Sequence, residues 1–511
     1  MNVRTRPSLV VFTASTAGLI LNVDQASIII TLGRIAEEFG RGISGSQWIL
    51  AAYLLPLASL VILGGTISDR YPVLRVFLLG LALFTVGSLV SSITQSFALL
   101  IIARVICGIG AAAVFPASLA MIRKGLPEAS TQRAFGIWFG AAIGGSALGP
   151  LVNGYLLDST SWRIVFIVSA GLSIGLAAIV IGSRLSIPAI LQPAKISAGS
   201  IALTAGALLG VVFGLIRAGT FGWTAKETLL PLMAGLTILI VKLGFKRYQL
   251  RLNGSTKSEL GRAAPFIGIM LVSIIPVVGV VVILILYFDV VRDLTSFETG
   301  LAILPFGLTA AFVAPLVPHL ITRYGFGRLL GFAIVAQLMG MAGLSQIGPS
   351  SSYLLLGISL FSFGASMAIF PPLTLSQASH YVPVAKSGYL AGVHSAAIQV
   401  GQLLSIALIG SIANSKIASS LRYEFGSGSQ WSELPEEGYK ALGAGEEWLP
   451  AGLGEAEASV FADLADLGFT DGFGNTVKLV FYSGVIVAAL GCILSWKTTR
   501  HVRESAVIAE S

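Results

Sequence analysis

The chain has 511 residues, 55% of them hydrophobic and 11% charged, with a mean hydropathy of +0.87. A soluble domain carries roughly 25% charged residues, so a string of water-solvated domains is excluded. The net charge of +8 would hint at nucleic acid in a soluble protein. In a lipid-solvated chain it is what Lys and Arg retained in cytoplasmic loops produce, and no nucleic-acid partner is expected.

Apolar runs long enough to cross about 30 Å of hydrocarbon at about 1.5 Å per residue predict an all-α polytopic membrane protein. Fourteen spans are read, at 8–33, 46–68, 74–94, 97–122, 134–157, 163–183, 197–217, 228–245, 263–288, 299–321, 329–347, 353–378, 388–412 and 476–496. The first follows Arg4 and Arg6 and continues to about Leu32, too long for the apolar region of a signal peptide, so it is read as a retained span. With the N-terminus inside, the inner segments hold 20 Lys and Arg and the short outer loops hold 6. That bias predicts an inner-membrane protein with both termini cytoplasmic.

Span 1 carries Asp24 between Asn22 and Gln25. A carboxylate at such depth is costly unless protonated, paired or hydrated, so it is expected to face a cavity. A group that is neutral in one conformation and charged in another is what proton coupling requires. The alternative is a polar packing residue bonded to Asn22 or Gln25. Span 4 carries Arg104, which either snorkels to the outer headgroups or faces the cavity as a fixed cation paired with a carboxylate. Span 5 is crowded with Gly140, Gly144, Gly145, Gly149, Pro150 and Gly154, a pattern for close helix approach and bending.

Asp289, at the outer end of span 9, reads as an interfacial charge. In span 13, His394 with Gln399 and Gln402 lines a pathway or holds helices together. The outer loop 413–475 holds eleven acidic residues; its recurring apolar residues predict amphipathic helix on the outer surface. Cys107 and Cys492 lie in apolar stretches without CxxC spacing or a histidine cluster, so no metal or cofactor is expected. No GxxxxGK[ST] occurs, which disfavours an ATP-driven pump.

An internal repeat relates Gly65-xxx-Asp69-Arg70-Tyr71-xxx-Arg75 to Pro318-xxx-Thr322-Arg323-Tyr324-xxx-Arg328, and Val114-Phe115-Pro116 to Ile369-Phe370-Pro371. Duplicated halves with a site between them are a common transporter plan. The repeat divides the chain into a six-helix half at 1–183, two inserted helices at 184–262 and a second six-helix half at 263–511.

At these residues the sequence resembles the major facilitator superfamily, and within it the fourteen-span drug:proton antiporter family. Gly65, Asp69, Arg70 and Arg75 look like the family's cytoplasmic gating motif, with Pro72 where glycine is usual and Val73 and Leu74 where basic residues are usual. Arg104-xxx-Gly108-x-Gly110 through Pro116 resembles the span 4 motif whose arginine is implicated in proton transfer; Cys107 replaces its usual glutamine. Gly145-xxx-Gly149-Pro150-xx-Asn153-Gly154, then Trp162-Arg163, resembles the antiporter motif that the family ties to exporters. Leu21-Asn22-Val23-Asp24 is similar to the acidic span 1 motif, and Ala26, Ile29 and Gly33 depart from its threonine, asparagine and proline. Gly222-Trp223, and Tyr287 through Gly300-Leu301-Ala302-Ile303-Leu304-Pro305, complete the likeness, with Asp289 where glutamine is usual.

The resemblance implies a secondary transporter, not an enzyme, that exports amphipathic, often cationic, small molecules in exchange for protons by alternating access. Asp24 and Arg104 would couple the proton. The partners implied are a small-molecule substrate, protons and membrane lipid; no oligomer is predicted. A dedicated exporter of one metabolite, siderophore or lipid-like compound is the alternative, and a non-transporting sensor or scaffold is the alternative of another class.

Overall fold

The computed structural model describes residues 6–426, apart from 41, 191–197, 253–258, 289–291, 293 and 348–350, together with part of 459–479. Hydrocarbon offers no partner to backbone N–H and C=O groups, so a chain this apolar satisfies them within helices. The helices are α1 (Pro7–Glu38), α2 (Gly42–Arg70), α3 (Val73–Ile93), α4 (Phe97–Gly125), α5 (Glu128–Ser159), α6 (Arg163–Gly182) and α7 (Ala198–Phe221). They continue with α8 (Lys226–Leu252), α9 (Glu259–Leu286), α10 (Ser296–Val313), α11 (Val317–Leu344), α12 (Tyr353–Ser379) and α13 (Ser387–Gly426).

Among the described residues, nine segments are long and apolar enough to cross a membrane, one of them the 48-residue Phe297–Leu344. That length of helix would reach about 72 Å, more than two hydrocarbon cores. Gly325, at φ +77°, breaks α11. The helical residues before and after this break correspond in position to the predicted spans 10 and 11. Thirteen of the fourteen predicted spans coincide with described helices. The fourteenth, 476–496, lies outside the described residues beyond 479.

Helices α1–α6 pack chiefly on one another: α1 on α5, α2 and α3 on α4, and α3 on α6. Among α9–α13 the main contacts are α11 with α12, α9 with α13, and α10 with α12. The two groups meet along α5 against α10 and α2 against α13. Helices α7 and α8 pair with each other, and α7 leans on α2 and α13.

One predicted boundary is corrected. Helix α13 does not stop at 412 but runs to Gly426, so the start of the acidic loop is helical. Its added turns carry Ile417, Leu421 and Phe425, all buried, at helical spacing. They are matched in reverse order by Gly472, Gly468 and Phe461 of the returning chain, with the Phe425 and Phe461 rings 4.9 Å apart. An apolar stripe that finds a partner stays helical instead of ending at the bilayer surface. The expected outer-surface helix, where described, therefore packs along α13. Trp431, Trp448 and the other residues of 427–458 lie outside the described residues.

Candidate functional site

Helices α1 and α4 bring Asp24 and Arg104 together. Nη1 of Arg104 donates to Oδ2 of Asp24 at 2.9 Å, and both side chains are 0% exposed. Arg104 thus turns inward to a carboxylate and does not snorkel. Its guanidinium lies 4.5 Å from the Tyr53 ring centroid and 5.5 Å from that of Phe166, whose faces attract a cation. Removing two charges from water is costly, and the pairing and aromatic contacts offset that cost.

The pair is unsaturated. Asp24 Oδ1, Arg104 Nε and Nη2 and the Tyr53 hydroxyl are all buried without a hydrogen-bond partner among the described residues. Asn22 is committed elsewhere: it donates to Gly18 O at 2.8 Å and accepts from Ser146 Oγ at 3.4 Å. Gln25 is half-buried. Tyr53 escapes a reading centred on charges; its signal is a hydroxyl-bearing aromatic inside a span, which needs a polar neighbour.

At one end of the bundle, α2 and α13 interlock. Cβ atoms added at Gly65 and Gly388 would stand 2.1 Å and 2.3 Å from each other's carbonyl oxygens, so only glycine permits this approach. Asp69, one turn on, accepts from the Gly388 N–H at 2.8 Å and the Tyr389 N–H at 2.7 Å. Free N–H groups at a helix start are natural anion partners. Lys124 from the end of α4 lies 3.0 Å from the same carboxylate and donates to Ser68 O. Arg123 caps α12 by donating to the carbonyls of Ser379, Val382 and Pro383. Arg70 and Arg75 are exposed. Sequence reasoning counted Arg123 and Lys124 only as loop charges; their place at the last turn of a helix is the signal that could have marked them.

Helix α5 packs small residues on two faces. Gly145 and Gly149 abut the α1 backbone at Leu19 and Val23, and Asn153 donates to Ser27 Oγ on the same side. Gly136 and Gly140 abut Ala314 and Ala311, while Gly307 and Gly300 of α10 abut Ala147 and Leu151, beside Pro150. The glycines of the antiporter-like motif therefore face α1, and the turns around them face α10. Gly154 is buried.

His394 is fully buried on α13, bonded through Nε2 to Thr374 Oγ1 of α12 at 3.0 Å and 5.8 Å from the Phe139 ring of α5. Gln399 is buried nearby. At the far end of α1, Glu38 takes a bidentate pair from Arg163 at 3.0 and 2.7 Å and a bond from Trp162 Nε1 at 2.6 Å. Those bonds, led by Arg163, hold its carboxyl below the ordinary value of 4.5. A cavity of about 560 Å³ opens between Phe288, Arg292, Pro305 and Tyr353, away from Asp24 and Arg104. Asp289 lies outside the described residues. Among the described residues no cluster of His, Cys, Asp and Glu could hold a metal.

Residues 14–406 match the family profile described as Major Facilitator Superfamily. The chain is 30% identical over 426 residues to the multidrug resistance protein Stp of Mycobacterium tuberculosis, covering 81% of this chain and 78% of that protein. It is 25% identical to the tetracenomycin C resistance and export protein of Streptomyces glaucescens, with 95% and 91% covered. It is 26% identical to the multidrug efflux pump LfrA of Mycolicibacterium smegmatis, with 92% and 93% covered. Among solved structures it superposes on the proton:xylose symporter XylE with a TM-score of 0.58 at 16% identity, over 96% of this chain and 95% of that one. At that identity the likeness speaks for the fold alone.

Proposed function

This chain belongs to the major facilitator superfamily as one of its multi-pass membrane transporters, and we propose that it exports amphipathic, often cationic, small molecules in exchange for protons. The observation that carries the reading is the buried Asp24–Arg104 contact. In the proposed cycle Asp24 takes a proton when the transporter is open outside and loses it when open inside. Deprotonated Asp24 holds Arg104; protonated Asp24 releases it, and the guanidinium is free to engage its other neighbours. The two protonation states then favour different conformations, and that differential is what lets a gradient drive export.

The fold supports a division into halves at 1–183 and 263–511 with 184–262 as an insert, the α5–α10 and α2–α13 seams being where the halves would rock. On our reading the charge bias puts the Asp69 end in the cytoplasm, and the α2–α13 contact there would close the inner side. Asp69, Gly65 and Lys124 then form the inner latch. The inner membrane is the location this orientation implies.

The efflux relatives support an exporter rather than an importer. A second reading, a dedicated exporter of one compound, is favoured by a specific observation: relatives include the tetracenomycin C protein alongside Stp and LfrA. Inside-out vesicles decide the first question. Accumulation of ethidium on acidifying the lumen, abolished by a protonophore, supports proton-driven efflux of cations. Accumulation of a single tested compound and of no lipophilic cation supports the dedicated exporter. Accumulation indifferent to the protonophore contradicts proton coupling.

A further inference from the structure

We propose that His394 is a specificity-determining hydrogen-bond acceptor that selects aromatic substrates carrying a hydrogen-bond donor, such as a phenolic hydroxyl or a protonated amine. The proposal rests on the exporter reading and names a substrate class for it. The Thr374 hydroxyl has one hydrogen, which lies on the Phe370 carbonyl at 2.7 Å. We assign the ring hydrogen to Nε2, which then donates to Thr374 Oγ1 at 3.0 Å. In the uncharged imidazole that leaves Nδ1 as a bare acceptor. Nδ1 is buried and has no partner among the described residues, and the same is true of Gln402 Oε1 two turns along α13.

The surroundings are aromatic and drawn from the opposite half. Phe139 meets the imidazole edge-on at 5.8 Å, Trp138 meets Phe139 at 4.8 Å, and Phe115 meets Trp138 at 6.0 Å. Trp138 has already given its N–H to Ser118 Oγ at 3.0 Å, so the indole offers a ring and no donor. The site thus presents π-faces and lone pairs across a seam between α4 and α5 on one side and α12 and α13 on the other. When the halves part, an aromatic molecule can replace the ring contacts, and only one with a donor satisfies Nδ1.

Matched pairs test this: a naphthol and its methyl ether, and a hydroxyanthraquinone and its methyl ether. Equilibrium binding to the purified full chain in lipid nanodiscs is read by quenching of tryptophan fluorescence. The wild type is expected to prefer the hydroxyl compound by about tenfold. His394→Leu brings the ratio to about one. Thr374→Val keeps the side-chain shape but frees the ring hydrogen to move, and lowers the ratio part of the way. No preference in the wild type, or a ratio unchanged in His394→Leu, overturns the proposal; if that variant does not reach the membrane, an unchanged ratio in Thr374→Val overturns it alone. The ratio needs no gradient, so a failure of proton coupling would leave this result standing.

Discussion

The Asp69 carboxylate and the Gly388 N–H lie 2.8 Å apart across 319 residues of sequence, and they can meet only because neither Gly65 nor Gly388 has a side chain. The bond joins α2 to the start of α13 and gathers Lys124 into the same contact. It makes one carboxylate answerable for a seam between helices far apart in the chain.

Asp69→Ala is expected to open that seam. Removing one member of a buried charged set costs about 3–5 kcal/mol, and here it also leaves Lys124 unpaired. Spin labels at Arg75 and Val384, both exposed, should report a longer distance in the variant than in the wild type. An unchanged distance distribution would show that the seam holds without Asp69.

Gly388→Ala attacks the same seam through shape. Its Cβ would stand 2.3 Å from Gly65 O and 2.9 Å from Asp69 Oδ1, so the helices must separate, at about 1–3 kcal/mol for an overpacked contact. Transport should fall at least tenfold while protein in the membrane stays near the wild-type amount. Wild-type transport would mean that this close approach is not visited during turnover.

The buried pair gives a stability prediction. Asp24→Asn leaves Arg104 charged among Tyr53 and Phe166, and should lower stability by about 3–5 kcal/mol. Adding Arg104→Gln removes the stranded charge and should restore part of the loss. Thermal unfolding of the three proteins in one detergent checks it. A double variant less stable than Asp24→Asn would be the contrary result.

Glu38 gives a pH prediction. Its folded pKa lies below 4.5 because Arg163 and then Trp162 bind the carboxylate. The contribution is therefore present above the unfolded value and is lost as pH falls through the folded one. Glu38→Gln should lower Tm at pH 7, and the difference should shrink on acidification and disappear once pH has fallen below the depressed folded value. A difference of equal size at acid pH would show that charge is not what Glu38 supplies.

Much of this was legible in the sequence because lipid leaves few options. An apolar run must be a helix, and Asp24 within one must have a reason. The partner was half legible: Arg104 was open between snorkelling and pairing, since a span's length does not tell which way a long side chain turns. Tyr53 and Lys124 carried only weak signals, a hydroxyl-bearing aromatic inside a span and a cation at a helix end, and many residues share those without joining a site. The continuation of α13 to Gly426 was hidden for a similar reason. Ile417, Leu421 and Phe425 show their stripe only once Phe461 and the glycines after it return alongside.

The central claim is that Asp24 carries the coupled proton. Proteoliposomes with an imposed pH gradient and an internal pH dye test it most directly, with lipophilic cations added to the wild type and to Asp24→Asn. Cation-triggered proton movement in the wild type that disappears in Asp24→Asn is the predicted result. Equal proton movement in both proteins would contradict the account.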